Sequence, residues 1–116
     1  MEGFFMAFIK RGQVYYVDFG TGEGSEQWGI RPAVIVQNDI GNKYSQTTIV
    51  VPCTSRAKNN MPTHVTFFLK GIKNTVLAEQ IRVIQKSRIK EMIGKLSDEE
   101  IKELNSALEI SIGLST

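Results

Sequence analysis

The chain has 116 residues, 41% hydrophobic and 22% charged, with a formal net charge of +2. That length supports one core and not two, and the balance of apolar and charged residues argues against disorder of the main body. A lone cysteine, Cys53, excludes an intrachain disulfide and fits a reducing compartment, while a lone histidine, His64, leaves too few ligands for a protein-built zinc or iron–sulfur site. The charge is only mildly basic, so any nucleic-acid site must come from local clustering or from joining two chains.

The first stretch, MEGFFMAFIKRG, has an apolar part well short of the ~20 residues of a membrane span. It lacks a basic segment before the apolar residues and a small-residue cleavage site. The expectation is a cytoplasmic protein with no membrane association, and with residues 1–8 loosely ordered. Gln13–Phe19 is β-branched and aromatic between Gly12 and Gly20, a strand signal. A flexible connection with glycines at 20, 22, 24 and 29 follows. Pro32, which has no ladder donor, should begin the next strand, Ala33–Gln37.

Asn38–Ser45 carries turn chemistry or a single helical turn. Thr47–Thr54 reads as a third strand, with Pro52 marking a bulge or an edge near its end. Ser55–Pro62 is a polar, basic loop. His64–Leu69 and Thr75–Ile84 read as further strands joined by a turn at Lys70–Asn74. Ser87 is expected to cap a short helix through Ile93, ended by Gly94. Ser97 and Glu100 fit a capping box, and Ile101, Leu104, Leu108 and Ile112 follow as one apolar stripe at helical spacing. Strands followed by helices predict an α+β fold: a small, strongly curved antiparallel sheet with helices packed on it.

The stretch Gly24–Asn38, GSEQWGIRPAVIVQN, is the most chemically loaded. Its first half gathers a hydroxyl (Ser25), a carboxylate (Glu26), an amide (Gln27), an aromatic (Trp28) and a guanidinium (Arg31), and its second half is an apolar strand. Together with KRGQVYYVDF, a third strand ending in Thr54, PTHV and LAEQIRVI, in that order, it resembles the MazF/PemK family, the toxin halves of toxin–antitoxin pairs. The resemblance runs from Ile9 to Leu114, which makes 1–116 a single toxin domain.

It implies a small SH3-like β-barrel with short helices and a C-terminal helix, assembled as a homodimer. It also implies a sequence-specific, cofactor- and metal-independent endoribonuclease acting on single-stranded RNA. A partly disordered, MazE-like antitoxin would inhibit it by wrapping the dimer and filling the RNA groove. Carried onto this chain, the arginine of the G-x-RP motif is Arg31, the threonine closing the third strand is Thr54, and the first loop's Ser-Glu-Gln is Ser25, Glu26 and Gln27. The later Glu-Gln is Glu79 and Gln80.

Metal-free RNA cleavage must deprotonate a 2′-hydroxyl, stabilise the phosphorane charge and neutralise the leaving 5′-oxygen, giving a 2′,3′-cyclic phosphate and a 5′-hydroxyl. Arg31 suits charge stabilisation, because its guanidinium stays protonated and forks onto phosphate. Thr54 can donate to a non-bridging oxygen. Glu26 is the candidate base, although activation without a dedicated base stays open. Ser25, Gln27 and Gln80 can read base edges or sugar hydroxyls. Arg56 and Lys58 form a candidate phosphate track, doubled in a symmetric pair. Trp28 can stack a base or cover the dimer interface. Glu79 sits among the candidate RNA contacts, with a structural acid as the competing reading. Cys53 alternates with Thr54 and should face the core, and His64, at a strand start, reads as structural.

Two other readings compete. One is a non-catalytic toxin of the same fold that poisons DNA gyrase. The other is an SH3-like binding module that shows no turnover.

Overall fold

The computed structural model describes residues 9–115, so the expectation for residues 1–8 lies outside the described part. Seven strands form one antiparallel sheet: β1 (Gln13–Asp18), β2 (Ile30–Ile35), β3 (Thr47–Thr54), β4 (His64–Leu69), β5 (Ile72–Leu77), β6 (Arg82–Gln85) and β7 (Ile89–Lys95). Their order is β4-β5-β3-β2-β1-β7, with β6 also paired to β3. Helix α1 (Asp39–Tyr44) links β2 to β3, and α2 (Asp98–Ser111) closes the chain. The result is the expected α+β architecture, a curled antiparallel half-barrel with helices.

The continuous apolar runs of β2 and β3 follow from burial on both faces. Side chains alternate along a strand. Val34 and Val51 enter one cluster with Phe67, Val76, Leu104 and Ala107, while Ala33, Ile35 and Val50 enter a second with Val17, Ile84 and Ile89. Cys53 belongs to the first cluster and is wholly buried, as the alternation requires, and burial pushes its thiol up. The capping box at α2 is present: Ser97 N–H donates to Glu100 Oε1 at 2.8 Å, and Glu100 N–H donates to Ser97 Oγ at 3.2 Å. Leu104 and Ala107 carry the helix into the core, but Ile112 is exposed at the C-cap and leaves the expected stripe.

Several expectations need correction. The segment after Gln85 is a single 3-10 turn (Lys86–Arg88) followed by β7, not a helix to Ile93. Ile89 and Ile93 imitate helical spacing, but β1 pairs with this segment, and two register shifts absorb its irregular burial pattern. Gly94 is no helix stop: it lies opposite Val14, where a Cβ would come within 3.1 Å of Leu69.

Thr75–Ile84 is likewise not one strand. A turn at Ala78–Ile81, closed by Gln80 N–H to Leu77 O at 3.0 Å, lets β5 and β6 pair separately with β3. The hairpin before it turns on Lys70 and Gly71 alone, both with positive φ (49° and 81°), as a tight hairpin loop demands. Pro32 does not begin its strand, whereas Pro52 does sit at a local edge near the end of β3. Pro32 is the third residue of β2, a tolerated place because the ladder to β3 starts only at Ala33. Pro52 lies inside β3, buried, where the β6 ladder has ended at Val50 and the β5 ladder begins at Cys53.

Candidate functional site

A groove of about 850 Å³ opens between the β1–β2 loop and the β3–β4 loop, and the end of β5 floors it. Every candidate residue from the sequence lines it: Ser25, Glu26, Gln27, Trp28 and Arg31 on one side, Thr54, Arg56 and Lys58 on the other, Glu79 and Gln80 between. The β2–β3 register explains the central pair. Ala33 faces Pro52 at the end of the β2–β3 ladder, and Arg31 and Thr54 lie two residues beyond it on their respective strands, both lining the groove.

Both residues are held with donors to spare. Arg31 is half-buried, and its Nε donates to Trp28 O at 3.0 Å, which orients the guanidinium. Among the described residues its two terminal amino groups have no hydrogen-bond partner, and no carboxylate lies within ion-pair distance. Arg31 and Glu26 are therefore not ion-paired, although they lie only five positions apart. Thr54 Oγ1 accepts the Arg56 N–H at 3.1 Å, which uses the oxygen and leaves the hydroxyl proton free to donate.

Glu26 is exposed and folds back on its own loop, where Oε1 accepts the Glu23 N–H at 3.0 Å. Gln27 Oε1 is buried and has no hydrogen-bond partner among the described residues. Trp28 is 54% exposed, an open aromatic face at the rim.

Glu79 and Gln80 are engaged differently from what their motif suggests. Gln80 Oε1 accepts the Gln27 N–H at 3.0 Å, and its Nε2 donates to Ser25 O at 3.1 Å. Glu79 Oε1 accepts the Thr63 hydroxyl at 2.9 Å, and Oε2 lies 3.1 Å from His64 Nε2. His64, set aside as structural, lines the groove and contacts Asn59 O through Nδ1 at 2.8 Å.

Arg82 was missed altogether. Its guanidinium donates to Gln27 O at 3.2 Å and to Phe19 O at 3.4 Å, and it lies over the Phe19 ring at 5.0 Å. No sequence signal indicates a reach of that length; only the fold brings β6 under the loop. Among the described residues, no three His, Cys, Asp or Glu side chains gather as metal ligands. Arg31, Arg56 and Lys58 outnumber the two carboxylates that line the groove, Glu26 and Glu79, and leave it a net cationic lining. Such an arrangement can bind an extended anionic chain and stabilise charge at one phosphate beside Arg31 and Thr54.

Comparison with known proteins identifies the family and the fold. Residues 10–112 match the family described as PemK-like, MazF-like toxin of type II toxin–antitoxin systems. The chain is 49% identical over 113 residues to Endoribonuclease MazF of Staphylococcus saprophyticus, covering 93% of this chain and 94% of that protein. It resembles the crystal structure of MazF from Deinococcus radiodurans at 28% identity and a TM-score of 0.79, covering 90% of this chain and 96% of that one. A mycobacterial endoribonuclease in complex with its cognate antitoxin gives 26% identity and a TM-score of 0.79, covering 93% and 98%. The chain belongs to the PemK-like, MazF-like toxins of type II toxin–antitoxin systems.

Proposed function

We propose that this MazF-family endoribonuclease is a sequence-specific mRNA interferase that cuts single-stranded RNA by attack of a 2′-hydroxyl on the adjacent phosphate, without a metal or other cofactor. The observation that carries the reading is that Arg31, near the start of β2, and Thr54, at the end of β3, line one cationic groove, each with uncommitted donors.

In the reaction the 2′-oxygen bonds to phosphorus as its proton leaves. The P–O5′ bond then breaks and the 5′-oxygen takes up a proton, giving a 2′,3′-cyclic phosphate and a 5′-hydroxyl. The free amino groups of Arg31 and the Thr54 hydroxyl are aimed at the charge that develops on the non-bridging oxygens, where a preorganised donor is typically worth ~10²–10³ in rate. Glu26, whose second carboxylate oxygen is free, is the candidate to receive the 2′-proton. The exposed Trp28 ring suits a base face, and the Ser25 and Gln27 side chains a sugar hydroxyl or base edge. Arg56 and Lys58 track the backbone.

One chain brings only three cations to the groove, Arg31, Arg56 and Lys58. A homodimer would double them along one strand of RNA. The natural inhibitor in this reading is a partly disordered MazE-like antitoxin that fills the same groove; support comes from a mycobacterial endoribonuclease found in complex with its cognate antitoxin and from the MazE–MazF complex of Deinococcus radiodurans. A toxin that acts on messenger RNA works in the cytoplasm as a single 1–116 domain.

The test is to express the chain in growing cells and map new 5′ ends across total RNA. Growth arrest with new ends at one short sequence supports the reading. Arrest without new ends, accompanied by gyrase-trapped DNA breaks, replaces it with the gyrase-poison alternative.

A further inference from the structure

The turn between β5 and β6 places two adjacent side chains on different walls of the groove. Gln80 holds the β1–β2 loop by both halves of its amide, through the Gln27 N–H at 3.0 Å and Ser25 O at 3.1 Å. Glu79 reaches the other wall through His64. One carboxylate oxygen takes the Thr63 hydroxyl at 2.9 Å, and the other faces His64 Nε2 at 3.1 Å. The same imidazole reaches Asn59 O at 2.8 Å, and the His64 backbone N–H donates to Met61 O at 2.9 Å. Apart from a local contact of the Arg56 N–H with Thr54, these are the hydrogen bonds that tie residues 56–62 to the sheet, among the described residues.

The turn is itself anchored. Ala78 is wholly buried and donates its N–H to Thr63 O at 3.0 Å, and Gln80 N–H closes on Leu77 O. Both contacts therefore come from one rigid point of the fold. One wall carries Ser25, Glu26, Gln27 and Trp28, and the other carries Arg56 and Lys58. A glycine-rich loop and a polar loop of this kind do not hold a fixed separation by themselves.

We propose that Glu79 and Gln80 form a two-sided clamp that sets the spacing of the groove walls, with His64 as the intermediate on one side. They act as positioning residues and not as direct base readers. Only the effect on cleavage rests on the RNA reading above; the clamp itself is a property of the free protein.

The test is amide hydrogen exchange on the free, full-length chain, residue by residue, followed by cleavage kinetics on RNA. Gln80→Ala is expected to raise exchange at Gln27 and along the β1–β2 loop by about tenfold or more, with residues 59–64 unchanged. Glu79→Ala and His64→Ala are expected to do the converse. Each variant is expected to lower kcat/KM by about tenfold, because misplaced walls misplace the substrate. Amides of Val14 and Val34 report whether the core is intact.

If an alanine variant loses its fold, Gln80→Glu and Glu79→Gln, which each keep one acceptor in place, are expected to release their own wall partially. Unchanged loop exchange in folded variants that lose kcat/KM would overturn the clamp and make these side chains direct RNA contacts. Loosening of both walls by every variant would overturn its two-sidedness. If the wild-type chain cuts no RNA, the exchange data still decide the clamp.

Discussion

Arg31→Ala removes two contributions whose sizes differ widely. The first is the Nε bond to Trp28 O at 3.0 Å. A hydrogen bond of this kind contributes about 1 kcal/mol, so the melting temperature should fall by roughly 4 °C. The second is the pair of free amino groups that line the groove at the proposed phosphate site. Loss of such a donor costs roughly 10²–10³ in rate, or ~3–4 kcal/mol in the transition state alone. A protein of ordinary stability, about 5–15 kcal/mol, stays folded at 25 °C after the first loss, so the second decides the activity.

The assay is single-turnover cleavage with enzyme in excess, run beside a circular-dichroism melt. Arg31→Ala should stay folded and cleave at least a hundredfold more slowly. Arg31→Lys keeps the charge but loses the Nε contact and the fork, and should fall between, about tenfold down. Cleavage by Arg31→Ala within about threefold of wild type would refute the phosphate-clamp reasoning.

Thr54→Val keeps the shape at the end of β3 but deletes the hydroxyl. Cleavage should drop by about 10²-fold with little change in melting, and a normal rate would reduce Thr54 to packing. Leu104 is wholly buried between α2 and the sheet, so Leu104→Ala should destabilise by roughly 2–5 kcal/mol in denaturant titrations. Asp39 is held below its ordinary carboxylate range, first by the Arg11 N–H at 2.7 Å and then by the Asn42 amide at 3.2 Å. A depressed carboxylate contributes stability above its unfolded pKa of about 4 and loses it as pH falls through the folded value. Wild type should therefore melt above Asp39→Asn at pH 7, with the gap closing toward pH 3.

How much of this was legible in the sequence depended on how local the determining contacts were. The bounds of β3 and β4 could be read directly, because β-branched runs between turn residues decide them locally. The capping box at Ser97 is equally local. β7 was misread because Ile89 and Ile93 satisfy a helical period, while the partner that makes them a strand is β1, more than seventy residues earlier. The break at Ala78–Ile81 left only the adjacent pair Glu79–Gln80 as a trace in an otherwise strand-like run.

The site was better marked than the fold. Motif order brought the candidate residues to one groove, since the β2–β3 pairing leaves Gly29-Ile30-Arg31-Pro32 and the end of β3 at the same end of the sheet. What each side chain touches was hidden. The commitment of Gln80 to Ser25 and Gln27, of His64 to Asn59, and of Arg82 to Gln27 appears only once distant segments are folded together.

The most direct measurement is cleavage of a short single-stranded RNA containing the mapped site, by purified protein in EDTA, beside the same oligonucleotide with one 2′-deoxy sugar 5′ of the scissile phosphate. The account predicts cutting of the RNA alone, with 2′,3′-cyclic phosphate and 5′-hydroxyl ends. Cutting of the 2′-deoxy substrate, or a rate that vanishes in EDTA and returns with added divalent metal, would contradict it.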